Sequence, residues 1–272
     1  MDEIVTDLST RGLELAAEAN IHGMLEAFRG IPGAVYEASD AFARLRLPGV
    51  PSPVFNAVAR TRLAPGQVEE AVNRMIAHQA EHHVPYWYWW VGPTTEPRDL
   101  GATLLAKGLL PHAVDAPTMG IDLARLPEPP KVPGLAVLRV TDQEGEEAWA
   151  RAFNAAFGHP EYEGLSWAEA ARRLESPVTP WVMYVGWYYG KPAGIAMLVP
   201  TGGLAGLMTL AVVGEARGKG IGTALTVRAM QDGRELGFRA GVLIASEMTA
   251  GLYERIGFRR VGAISRYLWR GR

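Results

Sequence analysis

One segment, residues 210–223, most constrains the fold because it joins an apolar strand to a helix through a glycine-rich turn. The apolar run Leu210–Val213 is typical of a β-strand, and a helical pattern begins after Gly220. Gly218, Gly220 and Gly222 allow the backbone to turn sharply and to approach a ligand closely. The segment therefore predicts a strand, a turn and a helix in direct succession, as α/β folds contain.

Phosphate binding is the chemistry that this turn favours. The first turn of a helix presents unpaired N–H groups and the positive end of the helix dipole, and both suit a pyrophosphate. Arg217 and Lys219 add cationic donors beside these amides. The sequence therefore predicts a site for a phosphorylated ligand at residues 217–223.

Two common phosphate-binding loops do not match this segment. A Walker-type loop needs one more residue between its glycines than separates Gly214 from Gly218, and Gly220 stands where serine or threonine would hold magnesium. The dinucleotide pattern G-x-G-x-x-G fits Gly218 and Gly220 but meets Thr223 in place of its third glycine. The pattern that does fit is R/Q-x-x-G-x-G/A, which begins at Arg217.

A second motif lies downstream of the glycine loop. Residues 252–258 read Leu-Tyr-Glu-Arg-Ile-Gly-Phe, and they end a helical pattern at Gly257, a typical C-terminal cap. This stretch resembles the L-Y-E-x-x-G-F signature of the GNAT-type N-acetyltransferase superfamily, whose acyl-CoA loop has the R/Q-x-x-G-x-G/A pattern. The two motifs stand in the usual order and at the usual distance, so the resemblance covers roughly residues 135–272.

The resemblance implies both a fold and a set of roles. The fold is α/β (α+β), with a mixed, mostly antiparallel sheet flanked by helices, and the co-substrate is acetyl-CoA. The pantetheine is expected along a splayed strand formed by Leu210, Ala211 and Val212, with the Val212 amide nearest the oxyanion. The pyrophosphate is expected at the loop, formed by Arg217, Gly218, Lys219, Gly220, Ile221, Gly222 and Thr223. Tyr253 is expected to be the general acid, because a phenol with a reference pKa of about 10 can protonate a thiolate.

Two roles stay open at this stage. Ser246 stands where members of the superfamily often place an asparagine that bonds the pantetheine, but a serine also commonly caps a following helix. The general base is not identified, since residues 204–213 contain no carboxylate. Candidates are Glu247, after the strand, and His159, Glu161 and Glu163, on the segment expected to border the acceptor pocket.

A proline-rich segment divides the chain. Residues 127–134 contain four prolines, which favour an extended linker between residues 1–126 and residues 135–272. The first half repeats the element order of the second, including a closing strand pair around residues 110–123 that parallels a last strand pair ending near Trp269. It has Leu63–Gln67 where the phosphate loop belongs and Ala102–Leu105 where the tyrosine belongs. We therefore expect two tandem acyl-CoA N-acyltransferase-like domains, of which the first is degenerate, does not bind CoA, and braces the second or walls its acceptor site.

Composition limits the partners. A net charge of −2 provides no basic excess for nucleic acid. The chain has no cysteine, which excludes disulfides and thiolate catalysis and agrees with a cytoplasmic protein. Because no apolar run reaches about 20 residues and no signal-peptide core is present, we expect neither a membrane span nor secretion.

Two further patterns favour other functions. His78, Glu81 and His82 match the H-x-x-E-H pattern of zinc peptidases, but no third ligand is evident and they lie at the margin of the helix's apolar face. The aromatic run Tyr86–Trp90 is typical of an internal strand covered on both faces, although a cation cage is conceivable. We therefore expect no metal and assign these aromatic residues to the core.

The function expected from these observations is transfer of acetyl from acetyl-CoA to a primary amine. Direct attack in a ternary complex is expected, since no cysteine is available for a covalent intermediate. The acceptor, a small-molecule or peptide amine, is not specified by the sequence, and a homodimer remains open as an assembly. The alternatives are a non-catalytic acyl-CoA-binding protein and, more remotely, a zinc peptidase.

Overall fold

A single β-sheet runs through both halves of the chain. A computed structural model describes residues 3–158, 161–173 and 181–271, and these contain seven α-helices and eleven strands. The first half forms α1 (Thr10–Ala27), β1 (Val35–Ala38), β2 (Ala43–Arg46), β3 (Asn56–Ala59), α2 (Val68–Glu81), β4 (Tyr86–Val91), α3 (Leu100–Ala106) and β5 (Leu110–Asp122). The second half forms β6 (Leu135–Arg139), α4 (Gln143–Phe157), α5 (Glu161–Arg173), β7 (Val182–Tyr188), β8 (Lys191–Val199), β9 (Ala205–Val212), α6 (Ile221–Glu235), β10 (Ala240–Ile244), α7 (Glu247–Ile256) and β11 (Arg259–Arg270).

The strand order shows that the two halves exchange their last strands. The order is β1-β2-β3-β4-β11-β5-β10-β9-β8-β7-β6. Strand β11 of the second half therefore lies between β4 and β5 of the first, and β5 pairs with β10. Only β3–β4 and β9–β10 are parallel among the pairs of the described strands. The expected mixed, mostly antiparallel sheet is confirmed, and the exchange makes it continuous.

The expectation of two closing strand pairs is wrong. Each pair is one long strand, β5 with 13 residues and β11 with 12. The pairing of these strands shifts register between Arg260 and Gly262 and again on both sides of Arg266. Such bulges absorb extra residues and bend a strand without ending it, so turn-like residues within β5 and β11 do not mark separate strands.

The aromatic run in β4 is buried on both faces, as expected for an internal strand. Trp87 and Trp89 are 0% and 1% exposed and pack with the residues of α2 and α3. Tyr88 and Trp90 point to the other face and are each 6% exposed. Because successive strand residues alternate between faces, one short run supplies two cores. Tyr88 and Trp90 also line a cavity described below.

Helix α6, which follows the glycine loop, is held to the edge of the sheet by a buried carboxylate. Asp232 is 1% exposed and accepts hydrogen bonds from Arg139 Nε on β6 (2.7 Å) and Arg228 Nε on α6 (3.1 Å). The Tyr184 hydroxyl on β7 also donates to it. Burial is the main cause that raises the pKa of Tyr184, and the hydrogen bond to the Asp232 carboxylate raises it further. The phenol therefore remains a hydrogen-bond donor.

Removal of this carboxylate is expected to destabilise the fold. Asp232→Ala leaves two guanidinium groups and a buried phenol without their acceptor, so we expect the free energy of unfolding to fall by about 3 kcal/mol. Urea denaturation measures the change. The matched control is Glu235→Ala, because Glu235 is 70% exposed, lies 3.9 Å from Arg139 Nη2 and should lose less than about 1 kcal/mol. Equal losses in the two variants would contradict the prediction.

Candidate active site

Strands β9 and β10 separate at the centre of the sheet. Their parallel pairing covers only Ala205–Leu207 with Gly241–Leu243. Beyond it, β9 continues to Val212 paired with β8, while β10 continues to Ile244 paired with β5. The predicted splay of residues 210–212 is therefore confirmed, and it opens a gap between two neighbouring strands.

The backbone of Val212 is aimed into this gap. The Val213 N–H donates to the Ala193 carbonyl on β8 (2.9 Å), and successive residues of a strand point their N–H groups to opposite sides. The Val212 N–H therefore points away from β8. Its carbonyl accepts a hydrogen bond from Arg217 Nε (3.1 Å). This direction is the one that the predicted oxyanion contact requires, and the contact itself stays a prediction.

The glycine loop directly follows the splayed end of β9. Gly218 and Gly220 have φ values of +76° and +82°, a left-handed conformation that favours glycine. Gly220 caps α6, and the first helical hydrogen bond runs from the Ala224 N–H to the Gly220 carbonyl (3.0 Å). The amides of residues 220–223 consequently have no partner within the helix. The loop thus offers free N–H groups at the positive end of the helix dipole.

Two exposed cations flank these amides. Besides its bond to Val212, Arg217 has no carboxylate partner among the described residues, and Lys219 Nζ donates only to the Glu215 carbonyl (2.9 Å). Both side chains are exposed. Their charges therefore remain available to an anion at the loop.

A cavity of about 310 Å³ opens at the gap between β9 and β10. Its walls come from both halves of the chain. The second half contributes the splayed end of β9, Tyr253 of α7, Arg266 of β11 and aromatic residues of α4 and α5. The first half contributes Met24, Pro53, Val54, Tyr88, Trp90 and His112. The first half therefore forms one wall of the cavity, a role that the sequence left open.

Tyr253 lies in this cavity as a buried, protonated phenol. It is 6% exposed, and its ring packs edge-on against Phe258 with centroids 5.9 Å apart. Burial raises the pKa of Tyr253 to about 12. In the described part of the chain, no group forms a hydrogen bond with its hydroxyl. The phenol is therefore suited to donate a proton or a hydrogen bond and unsuited to act as a base near neutral pH.

The order of these features along the chain is that of a known family. The model of the acetyltransferase (GNAT) family matches residues 146–258, which include the glycine loop and Tyr253. Residues 146–258 therefore belong to the acetyltransferase (GNAT) family. Members of this superfamily are acyltransferases.

One curated protein similar to this chain is a mycothiol acetyltransferase from Pseudarthrobacter chlorophenolicus. The two are 28% identical over 160 residues, covering 50% of this chain and 46% of the relative. The chain thus spans about half the length of the curated relative that it matches.

Solved structures extend the likeness to both halves. A GCN5-related N-acetyltransferase from Kribbella flavida has a TM-score of 0.73 and 15% identity over 94% of this chain and 96% of that one. A tandem GNAT protein from the clavulanic acid biosynthesis pathway has a TM-score of 0.57 and 16% identity over 98% and 96%. At these identities the likeness concerns the fold, and it covers the first half as well as the second.

The structure places Ser246 at the start of α7. Its backbone N–H donates to Thr249 Oγ1 (3.1 Å), its hydroxyl lies 2.9 Å from that same oxygen, and it is exposed. The capping interpretation is therefore the one that these contacts support. The contact with pantetheine stays a prediction.

Of the base candidates from the sequence, the described part of the chain shows the side chain of Glu247 alone. Glu247 is exposed and binds Arg260 through two hydrogen bonds of 2.9 and 2.8 Å, and it does not line the cavity. Glu161 and Glu163 belong to α5, but their side chains lie outside the described part, as does the whole of His159.

Sequence reasoning missed His112, which lines the cavity with its Nε2 3.0 Å from the Tyr88 hydroxyl. His112 belongs to β5, and no motif marks it. Its position depends on the place of β5 beside the exchanged strand β11. Only the assembled sheet shows it.

The histidine motif on α2 forms a pair rather than a cluster. The rings of His78 and His82 lie with centroids 4.4 Å apart, and burial lowers the pKa of His78. Across residues 3–158, 161–173 and 181–271, no group of three or more acidic, cysteine or histidine side chains is placed to hold a metal ion. None of the helices in this part of the chain has the length and hydrophobicity needed to cross a bilayer.

Proposed function

We propose that this protein is an N-acetyltransferase that moves acetyl from acetyl-CoA to a primary amine by direct attack in a ternary complex. The observation that carries the proposal is the gap between β9 and β10, because it joins the glycine loop at one end to the Tyr253 cavity at the other. One extended ligand could thus place its phosphates at the loop and its thioester in the cavity.

The residues of the loop fit a pyrophosphate. The left-handed glycines expose the amides of residues 218–223, and Arg217 and Lys219 supply positive charge beside them. Next to the loop, the backbone of residues 210–212 has no strand partner on the side of β10 and can bond the amides of a pantetheine. Ser246 caps α7, and its contact with the pantetheine stays a prediction.

Two groups act on the reacting thioester in this scheme. The Val212 N–H stabilises the carbonyl oxygen as negative charge develops on it. Tyr253 gives its proton to the departing sulfur, which its raised pKa allows because the phenol stays protonated until the transfer. The neutral amine attacks the carbonyl carbon directly, since the chain has no cysteine to hold the acetyl group, and the proton that its nitrogen loses passes to solvent water.

In this proposal, the first half of the chain helps to form the binding site of the acceptor. Its Pro65–Gln67 turn stands where the second half has the glycine loop, and it has no tyrosine corresponding to Tyr253. Its contribution is instead a wall of the cavity, through Tyr88, Trp90 and His112. The match with the mycothiol acetyltransferase supports acetyl transfer as the reaction, and we propose a cytoplasmic enzyme acting on a small-molecule or peptide amine.

Calorimetric titration of acetyl-CoA into the protein tests this proposal, followed by thiol release on addition of amines. The protein has no cysteine, so a thiol-reactive dye reports only free CoA. We expect saturable binding and amine-dependent thiol release. Absence of binding would overturn the proposal. Binding without thiol release from any amine tested would instead favour a non-catalytic acyl-CoA-binding protein.

A further inference from the structure

The cavity contains a cation whose position the transfer reaction does not explain. Arg266 of β11 lines the cavity, and its guanidinium carbon lies 5.0 Å from the ring centroid of Trp90 and 5.4 Å from that of Tyr88. These two rings stand 6.3 Å apart at 73°, on the adjacent strand β4. The guanidinium is thus held over two aromatic faces in a fixed place.

Arg266 has no anionic partner among the residues that the structure describes. Neither an ion pair nor a side-chain hydrogen bond links it to any described residue, and no aspartate or glutamate is present among the residues that line the cavity. Arg266 is partly buried, and the loss of hydration that burial causes lowers the pKa of its guanidinium. A charge removed from water without a counter-charge is unfavourable, and aromatic contacts compensate only part of that cost.

Two residues of the cavity wall also contain a polar atom without a hydrogen-bond partner among the described residues. Trp90 Nε1 and Thr209 Oγ1 are buried and have no hydrogen-bond partner among the described residues. Both residues line the cavity beside Arg266. Buried polar atoms without partners are rare in folded proteins, so the hydrogen bonding of this part of the cavity wall is incomplete among the described residues.

We propose that the amine acceptor also carries a carboxylate and that Arg266 binds this group. The inference rests on the proposed acetyltransferase function and names its acceptor class. A guanidinium offers two parallel donors that match a carboxylate. A single cation in apolar, aromatic surroundings suits one negative charge better than a phosphate dianion, which the cationic glycine loop accommodates instead.

The arrangement depends on both halves of the chain. Arg266 pairs with Trp90 across β11 and β4, which become neighbours only because β11 enters the first half. Cross-strand partners share a face of the sheet, so the exchange brings the cation to the aromatic wall of the cavity. This gives the degenerate half a specific task, namely recognition of the acceptor.

Binding of a matched pair of probes tests the inference without turnover. The probes are 3-phenylpropionate and 3-phenylpropan-1-ol, titrated into the intact protein by calorimetry or ligand-observed NMR. We expect the carboxylate to bind at least about tenfold more tightly than the alcohol, and Arg266→Gln to remove the difference. Arg266→Lys keeps the charge but not the paired donors, so it should retain part of the difference in affinity between the two probes. It also provides a second variant if Arg266→Gln folds poorly.

The control is Arg270→Gln, an exposed arginine on the same strand that does not line the cavity. It should leave both affinities unchanged. No binding of the propionate, equal binding of the two probes, or a difference that survives Arg266→Gln would overturn the inference.

Turnover separates this inference from the proposed function. Phenylalanine and 2-phenylethylamine differ only in the carboxylate, and we expect thiol release to favour phenylalanine at least about tenfold in kcat/KM. Acetylation of both amines at equal rates would keep the acetyltransferase function and overturn the carboxylate site. Carboxylate binding that requires Arg266, in a protein that binds no acetyl-CoA, would keep the site and overturn the function.

Discussion

Gly220→Glu is expected to lower the affinity for acetyl-CoA by at least about 100-fold. The new side chain projects from the N-terminal cap of α6, where the amides of residues 220–223 are unpaired. Its carboxylate repels the pyrophosphate and competes for the same amides. Loss of two charge-assisted hydrogen bonds is equivalent to about 3–6 kcal/mol, which exceeds the roughly 2.7 kcal/mol that a 100-fold change requires.

Sterics and charge can be separated at this position. A Cβ on Gly220 would lie 3.2 Å from Val132 Cγ2, and the φ of +82° disfavours any side chain, so Gly220→Ala measures the cost of strain alone. Gly214→Glu is the matched charge control, because a Cβ there meets nothing within 4 Å. We expect Gly214→Glu to bind acetyl-CoA with nearly the affinity of the wild type. The affinity of Gly220→Ala should lie between those of the wild type and Gly220→Glu. Equal affinities of Gly220→Glu and Gly214→Glu, measured by calorimetry, would contradict this placement of the pyrophosphate.

The loop and the tyrosine motif were predictable from the sequence because their constraints are local. Gly218, Gly220 and Gly257 all have positive φ, and each such requirement is met within a few residues by the choice of glycine. The splay of β9 from β10 also agrees with the superfamily resemblance. Where neighbouring residues determine the backbone conformation, the conformation can be predicted from the local sequence.

The acceptor side of the cavity was not predictable because its contacts are distant in sequence. Arg266 meets Tyr88 and Trp90 only after β11 has entered the sheet beside β4. The sequence predicted strands at both places but divided β5 and β11 into pairs, and a divided strand gives no reason to expect the exchange. His112 lies at the same junction for the same reason.

Because of the strand exchange, the proline-rich segment does not separate two independent sheets. The proline-rich residues 127–134 lie outside helices and strands, as a linker would. The sheet nevertheless crosses from one half to the other three times, through β4–β11, β11–β5 and β5–β10. Separate production of residues 135–272 would remove β11 from both of its strand partners, so variants of the intact chain are the appropriate material for every test proposed.

Tyr253→Phe is expected to lower kcat for amine acetylation by about 100- to 1,000-fold, within the usual range for loss of a general acid. The phenyl ring keeps the packing against Phe258, and no hydrogen bond of the hydroxyl with a described residue is lost. The affinity for acetyl-CoA should therefore stay within about threefold. The control is Tyr189→Phe, since Tyr189 is 68% exposed and does not line the cavity.

The pH dependence distinguishes an acid from a base at this position. With a pKa raised to about 12, the Tyr253 phenol is protonated throughout the neutral and mildly alkaline range. An acid of this kind gives a ratio of wild-type to Tyr253→Phe rates that is constant from about pH 6 to about pH 10, because its protonated fraction hardly changes there. A base would act through the phenolate. At pH values below the pKa, the phenolate fraction increases about tenfold with each unit of increasing pH, so the ratio of wild-type to Tyr253→Phe rates would also rise. Two results would contradict the role of Tyr253 as the general acid: a rate ratio that rises with pH, or a kcat for Tyr253→Phe within about threefold of the wild type. Either result would indicate that solvent protonates the departing thiolate.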